Sequence, residues 1–314
     1  MKKRPLGRTG LIVSEMSLGT WGLSGDAYGA IPPEQAEQVV RRALEIGFSL
    51  FDTADAYGAG KMESLLGKIV GNRDDIVVVT KIGTDRTTDP PHKRFDAEYI
   101  RSAASRSLKR LRRKAIDVLL LHNPTVETVR AKETVFTMES LGKEGLVKKW
   151  GVAAGDDLVA RVAMDAGAQV IELAYNLVHS IDLHRVTGDA MVTGAGILAR
   201  SPLAHGMLSG TWTKEREFAD GDHRSERWTR LELERRLDQL EALQFLVSGD
   251  VTTLRGAAVR FVLANPIVSS AILGPRTVDQ LEQLVRETGA GPRYVPDEHL
   301  MKLPRVLSKA GILT

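Results

Sequence analysis

Short runs of Val, Ile and Leu alternate along the chain with longer stretches in which apolar residues recur every three or four positions. Eight runs read as strands: Ser17–Thr20, Ser49–Asp52, Ile76–Thr80, Val118–Leu121, Lys148–Val152, Val170–Ala174, Gly196–Ala199 and Ser269–Leu273. Most carry apolar residues at successive positions, the pattern of strands buried on both faces of a parallel sheet. Between them Ala36, Val39, Val40, Ala43 and Leu44 mark one helical stripe, opened by Pro32 and Pro33 and closed at Gly47. Ile100, Ala103, Ala104, Leu108 and Leu111 mark a second. Leu254, Ala257, Ala258, Phe261 and Val262 mark a third, with Thr252 or Thr253 as its cap. Thr277 caps a fourth, carrying Val278, Leu281, Leu284 and Val285.

Eight strands alternating with helices over about 250 residues predict an α/β fold of the (β/α)8 TIM-barrel type. A doubly wound sheet, the competing fold, more often has fewer strands and a glycine-rich first turn. No sharp linker divides residues 1–314, so they read as one domain. Arg4–Val13 is expected to form a small N-terminal hairpin outside the barrel, and Asp297–Ser308 an extra C-terminal helix. Gly206–Asp250 is too long for an ordinary βα loop; its charged centre, Ser225–Val247, reads as a helical insertion on the rim.

Composition removes several function classes. Lys and Arg number 43 against 40 Asp and Glu, and a net charge of +3 over 314 residues is no footprint for nucleic acid. The absence of cysteine excludes disulfides, thiolate metal ligands and a cysteine nucleophile. Seven scattered histidines show no metal-ligand spacing, so no metal is expected. The basic N-terminus is interrupted by Pro5, Gly7 and Gly10 before any apolar segment, unlike a signal peptide. No apolar run is long enough to span a membrane. A soluble cytoplasmic protein is the expectation. Two glycine motifs fail: the Gly60-Lys61 segment has Asp55 where a phosphate loop needs its first glycine, and Gly194–Ala199 leads into a strand instead of following one.

In a parallel barrel, chemistry sits where strands end and βα loops begin. Strand two ends in Phe51-Asp52, strand three in Thr80-Lys81 and strand four in Leu121-His122, with Tyr57 five residues beyond Asp52. Singly, each has a plain reading: Asp52–Lys81 as a rim ion pair, His122 as a core histidine, Tyr57 as a packing residue. Together they describe an acid. A lysine ammonium favours the phenolate of a nearby tyrosine and so lowers its pKa. An adjacent aspartate keeps that lysine charged, and a histidine can donate to a substrate oxygen. Such a set protonates a carbonyl oxygen as it becomes an alkoxide. The hydride must come from elsewhere, and a nicotinamide cofactor is the natural donor.

The stretches PLGRTGLIVSEMSLGTWGL, FDTADAYGAGKMESLLGK, VVVTKIG, LLLHNP, YNLVH, SPLAHGMLSG and SSAILGPRTVDQLEQL, in this order, resemble the aldo-keto reductase family over nearly the whole chain. The resemblance implies a (β/α)8 barrel that reduces small carbonyl compounds with NADP(H), NAD(H) being the lesser expectation. It makes Asp52, Tyr57, Lys81 and His122 the catalytic residues, with Tyr57 as general acid. It places Trp21 and Asn123 at the substrate mouth. For the cofactor it implies Ser201, Pro202, Leu203 and Gly206 at the pyrophosphate. Gly274, Arg276, Thr277 and Gln280 fall at the 2′-phosphate, and Gln283 beside the adenine position, where Leu284 replaces the family's Asn.

Around the nicotinamide the chain departs from the family. Ala153 and Ala154 stand for Ser-Asn, Glu172 for Gln and Arg200 for the stacking aromatic. Glu172 is expected to point at the carboxamide and draw the cationic oxidised ring. Trp212 and Trp228 fit either a cover over the site or rim packing. Arg86, His92, Lys93 and Arg94 fit either an anion-attracting loop or a solvated one. Some family members serve as cofactor-binding regulatory subunits, an alternative that the altered nicotinamide positions keep open.

Overall fold

The computed structural model describes residues 1–289 and 294–312. Eight parallel strands close into a barrel in chain order: Met16–Gly19, Leu50–Asp52, Val77–Ile82, Ile116–His122, Val147–Ala153, Val170–Ala174, Gly196–Arg200 and Val268–Leu273. The last strand pairs with the first through Ala271 and Met16, which completes the closure.

Side chains alternate across each strand, and the two faces have different partners. Leu50, Val77, Val79, Val118, Leu120, Val170, Leu198 and Ile272 gather inside the barrel. Phe51, Val78, Leu119, Ile171 and Ile197 face outward and pack with the surrounding helices. The strands are thus apolar on both faces, as their sequence pattern predicts. Gly151 shows how closely neighbouring strands approach: a Cβ there would stand 1.8 Å from the Val170 carbonyl oxygen.

One end of the barrel is plugged. Lys3–Pro5 and Ile12–Ser14 pair as an antiparallel hairpin, and its Leu6 and Val13 complete the interior cluster. The other end stays polar. Inward parity, continued along the strands, carries Asp52, Lys81, His122, Glu172 and Arg200 to that end.

Several boundaries differ from the sequence reading. The third strand runs on to Ile82 and the fourth ends at His122 as read, so Lys81 and His122 are strand residues. The rim insertion is less helical than expected. Its α-helix covers only Arg230–Glu241, because Thr229 and Glu232 form a reciprocal capping box that fixes its start. The segment before it crosses toward the barrel mouth, where Tyr28 and Asp222 form an isolated bridge. A small hairpin, Thr84–Asp85 with His92–Lys93, follows the third strand and was not foreseen. The C-terminal helix spans Asp297–Lys309. Among the described residues no helix is long and apolar enough to cross a membrane.

Candidate active site

Lys81 is the centre of the polar end. Its ammonium donates to Asp52 Oδ2 at 2.5 Å, to the Thr53 carbonyl at 3.1 Å and to the Tyr57 hydroxyl at 3.4 Å. These three acceptors use all three N–H donors of a lysine. Glu172 Oε2 lies 3.2 Å from the same nitrogen, an ion-pair contact, yet receives no hydrogen bond. The donor count explains that pairing without bonding.

The loop after the second strand delivers Tyr57. Thr53 N donates to the Val79 carbonyl and Asp55 N to the Lys81 carbonyl, which extend the sheet contact beyond Asp52. The chain then turns, and the phenol comes back over Lys81. His122 completes the group, its ring edge-on to Tyr57 with centroids 5.9 Å apart. The structure therefore brings Asp52, Tyr57, Lys81 and His122 together as expected.

Protonation follows from burial and neighbours. Burial alone would lower Lys81, but the Asp52 and Glu172 carboxylates and Tyr57 hold it above its ordinary value. Burial raises the Tyr57 phenol; Lys81 pulls it down, but Asp52 and Glu172 push the same way as burial. Lys81 thus lowers the phenol as expected, but burial outweighs it, and in the free protein Tyr57 keeps its proton. Burial, then the cations Lys81, Lys93 and Arg200, hold His122 well below its usual range, so its ring is neutral.

Two residues that sequence reasoning missed fix the Tyr57 loop. Asp26 accepts from Gly58 N at 3.0 Å, and Arg86 donates to the Ala56 carbonyl at 2.9 Å. Nothing local in the sequence signals that Asp26 reaches a loop 32 residues away. From sequence alone Arg86 reads only as part of a basic loop, anion-attracting or solvated. Its companions are equally engaged: Lys93 donates to the His122 carbonyl, His92 meets Thr88, and Arg94 pairs with Asp85 and Asp96. The basic loop is a brace.

The mouth is aromatic. Trp21 lies against Tyr57 with ring centroids 6.3 Å apart, against Tyr28 at 5.3 Å and against His223 at 4.7 Å. Asn123 is exposed beside His122, its left-handed backbone pinned by a bond from its N–H to the Ala153 carbonyl. Trp212 and Trp228 pack with Phe218 in the insertion, and the Trp228 ring also stands edge-on to His205 of the Ser201 loop, with centroids 6.4 Å apart.

Three of the residues expected at the cofactor, Glu172, Arg200 and Arg276, have partners within the protein. Glu172 lies beside Lys81. Arg200 donates to the Ala154 carbonyl. Arg276 donates to the carbonyls of Tyr28, Gly29 and Ala30, at 2.5, 2.8 and 3.1 Å, so its guanidinium ties the mouth loop to the last helical corner. Ser201, Ala204, His205 and Gly206 all have left-handed backbone, a sparsely populated conformation that clusters at ligand-holding loops. Gln280 accepts from Arg276 N, Thr277 caps the following helix, and Leu284 is core. Gly274 and Gln283 adjoin them at the same corner, and Pro202 and Leu203 at the Ser201 loop. Buried polar atoms at this end without a partner include His122 Nδ1, Glu172 Oε2 and Arg276 Nε. A bound nicotinamide dinucleotide fits these open groups.

The Aldo/keto reductase family model matches residues 15–288. The chain belongs to the aldo/keto reductase family. Aldo-keto reductase YhdN of Bacillus subtilis (strain 168) is 29% identical over 297 residues, covering 92% of this chain and 89% of that protein. A probable voltage-gated potassium channel subunit beta of Oryza sativa subsp. japonica is 26% identical, covering 95% and 94%. The holo form of aldo-keto reductase AKR11C1 from Bacillus halodurans superposes with a TM-score of 0.81 at 25% identity, covering 98% and 96%. The protein is thus an oxidoreductase of a family that uses nicotinamide cofactors on small carbonyl compounds.

Asp55, within the Tyr57 loop of this reductase, yields a stability test. Its Oδ1 is buried without a partner. Burial, then the Glu63 carboxylate, push its carboxyl up to about 7. Between about pH 4 and 7 the folded protein keeps this proton and the unfolded chain does not, so stability falls as pH rises through that window. Asp55→Asn should flatten that fall and raise stability at pH 8 by on the order of 2–4 kcal/mol. Urea melts from pH 4 to 8 check it; an unchanged slope would acquit Asp55.

Proposed function

We propose that the protein reduces an aldehyde or ketone to an alcohol, or runs the reverse reaction, using NADP(H) in preference to NAD(H). The observation that carries this reading is the bond from the buried Lys81 ammonium to the Tyr57 hydroxyl, with Asp52 holding the lysine. Tyr57 gives its proton to the substrate oxygen as charge develops there. Lys81 stabilises the phenolate left behind, and Asp52 keeps Lys81 charged and aimed. His122, neutral and at the same end, orients the substrate oxygen. The bound cofactor supplies or accepts the hydride. Trp21 and Asn123 border the substrate.

Ala153, Glu172 and Arg200 would surround the nicotinamide. Ser201, Pro202, Leu203 and Gly206 would hold the pyrophosphate, and Gly274, Arg276, Gln280 and Gln283 the adenosine end. Preference for NADP(H) is supported by Arg276, a guanidinium with an unpartnered buried Nε at the start of a capped helix. We place the chain in the cytoplasm as one catalytic domain over residues 1–314. Similarity to a potassium channel beta subunit suits a regulatory role, but the complete acid group favours the enzyme.

Tyr57→Phe should lower kcat by about 10²–10⁴-fold, the usual worth of a general acid, with cofactor affinity nearly unchanged. Steady-state assay on simple aldehydes, with fluorescence titration of the cofactor, measures both. Near-normal turnover would refute the assignment. Arg276→Met should weaken NADPH binding more than NADH binding in the same titration; equal weakening would show that Arg276 does not read the 2′-phosphate.

A further inference from the structure

Lys81 stands between two carboxylates. Asp52 is 3% exposed, Glu172 3% and Lys81 0%. With both acids ionised, this buried group would carry one uncompensated negative charge. In register, Glu172 has only the uncharged Ala153 on one side and Leu198 on the other; the nearest cation on a neighbouring strand is Arg200, two residues further along. The titratable groups acting on the pair are Lys81 and Tyr57, and Tyr57 is neutral. Further out, His122 is neutral, and the Arg200 guanidinium is bonded to the Ala154 carbonyl. Two carboxylates at one site cannot both ionise cheaply, and the proton belongs to the pair more than to either residue.

We propose that Asp52 and Glu172 share one proton at neutral pH, so that the free site stores a proton, and that oxidised cofactor releases it on binding while reduced cofactor does not. The linkage, though not the stored proton, rests on the nicotinamide reading above. The oxidised ring is a cation and the reduced ring is neutral. A cation beside the pair favours its ionised form, and the carboxyl O–H gives H⁺ to solvent. Burial, then the Glu172 carboxylate, hold Asp52 well above the ordinary carboxylate range, in the same direction.

The stored proton also serves reduction. After Tyr57 has protonated the substrate oxygen, Lys81 returns a proton to the phenolate and takes one from the shared carboxyl. The balance is a neutral phenol, a charged ammonium and two carboxylates, with no other reagent consumed. Glu172 thereby acts through Lys81, as a positioning residue.

Two measurements test this. Infrared spectroscopy of the cofactor-free protein at pH 7.5 should show a buried carboxylic-acid carbonyl band that disappears in Glu172→Gln, where Asp52 faces Lys81 alone. No such difference would overturn the stored proton. Calorimetric titration in two buffers of different ionisation enthalpy should show close to one proton released with NADP⁺, none with NADPH, and none with either in Glu172→Gln. Equal release with both forms would overturn the linkage. Failure of both forms to bind would overturn the nicotinamide reading and the linkage with it, and the infrared band separates that result from failure of the shared proton. A merely structural Glu172 would move neither readout.

Discussion

A buried ammonium organises this end of the protein. Taking a lysine charge out of water is costly unless partners surround it with good geometry. Lys81 meets that demand through Asp52, the Thr53 carbonyl and Tyr57, each within hydrogen-bond distance, and Glu172 adds charge without a bond. The same three bonds fix the arrangement proposed to be catalytic. Any change that releases one acceptor leaves a buried donor unpaired, so the stability of the site and its chemistry are bound together. The braces reach outward from there: Asp26 and Arg86 hold the Tyr57 loop, and Lys93 holds the backbone of His122.

The barrel makes this convergence a matter of parity. The inward positions that form the interior cluster are apolar, and the charged and imidazole groups gather at one end. The hairpin seals the apolar end with Leu6 and Val13. Chain order around the closed sheet sets Asp52, Lys81 and His122 on consecutive strands, and Glu172 arrives two strands later. The interior is too dry to leave these groups independently charged. Burial therefore raises the Tyr57 phenol despite the lysine beside it and drives His122 neutral.

Much of this was legible in the sequence. All eight strands are legible, most of them from successive apolar residues, and the acid, amine, imidazole and phenol from their places at or after strand ends. What was not legible depended on distant contacts. The fourth strand ends at His122 as read, and the third runs one residue past Lys81, to Ile82, because its neighbour continues the ladder. The helical reading of Ser225–Val247 overran because charge pattern does not reveal a capping box's start. Nor does the sequence show that Arg276 also ties down the mouth loop, which lies some 250 residues away. Glu172 was read against the family's glutamine, and only the closed barrel shows that Lys81 stands beside it.

The central claim is that Lys81 and Tyr57 act as one unit. A double-mutant cycle on kcat with Lys81→Met, Tyr57→Phe and the combined variant tests it most directly. Residues that act as a unit give strongly non-additive losses. The account predicts that the double variant is no slower than the worse single variant, within about threefold. Losses that multiply would contradict it, because each residue would then work without the other.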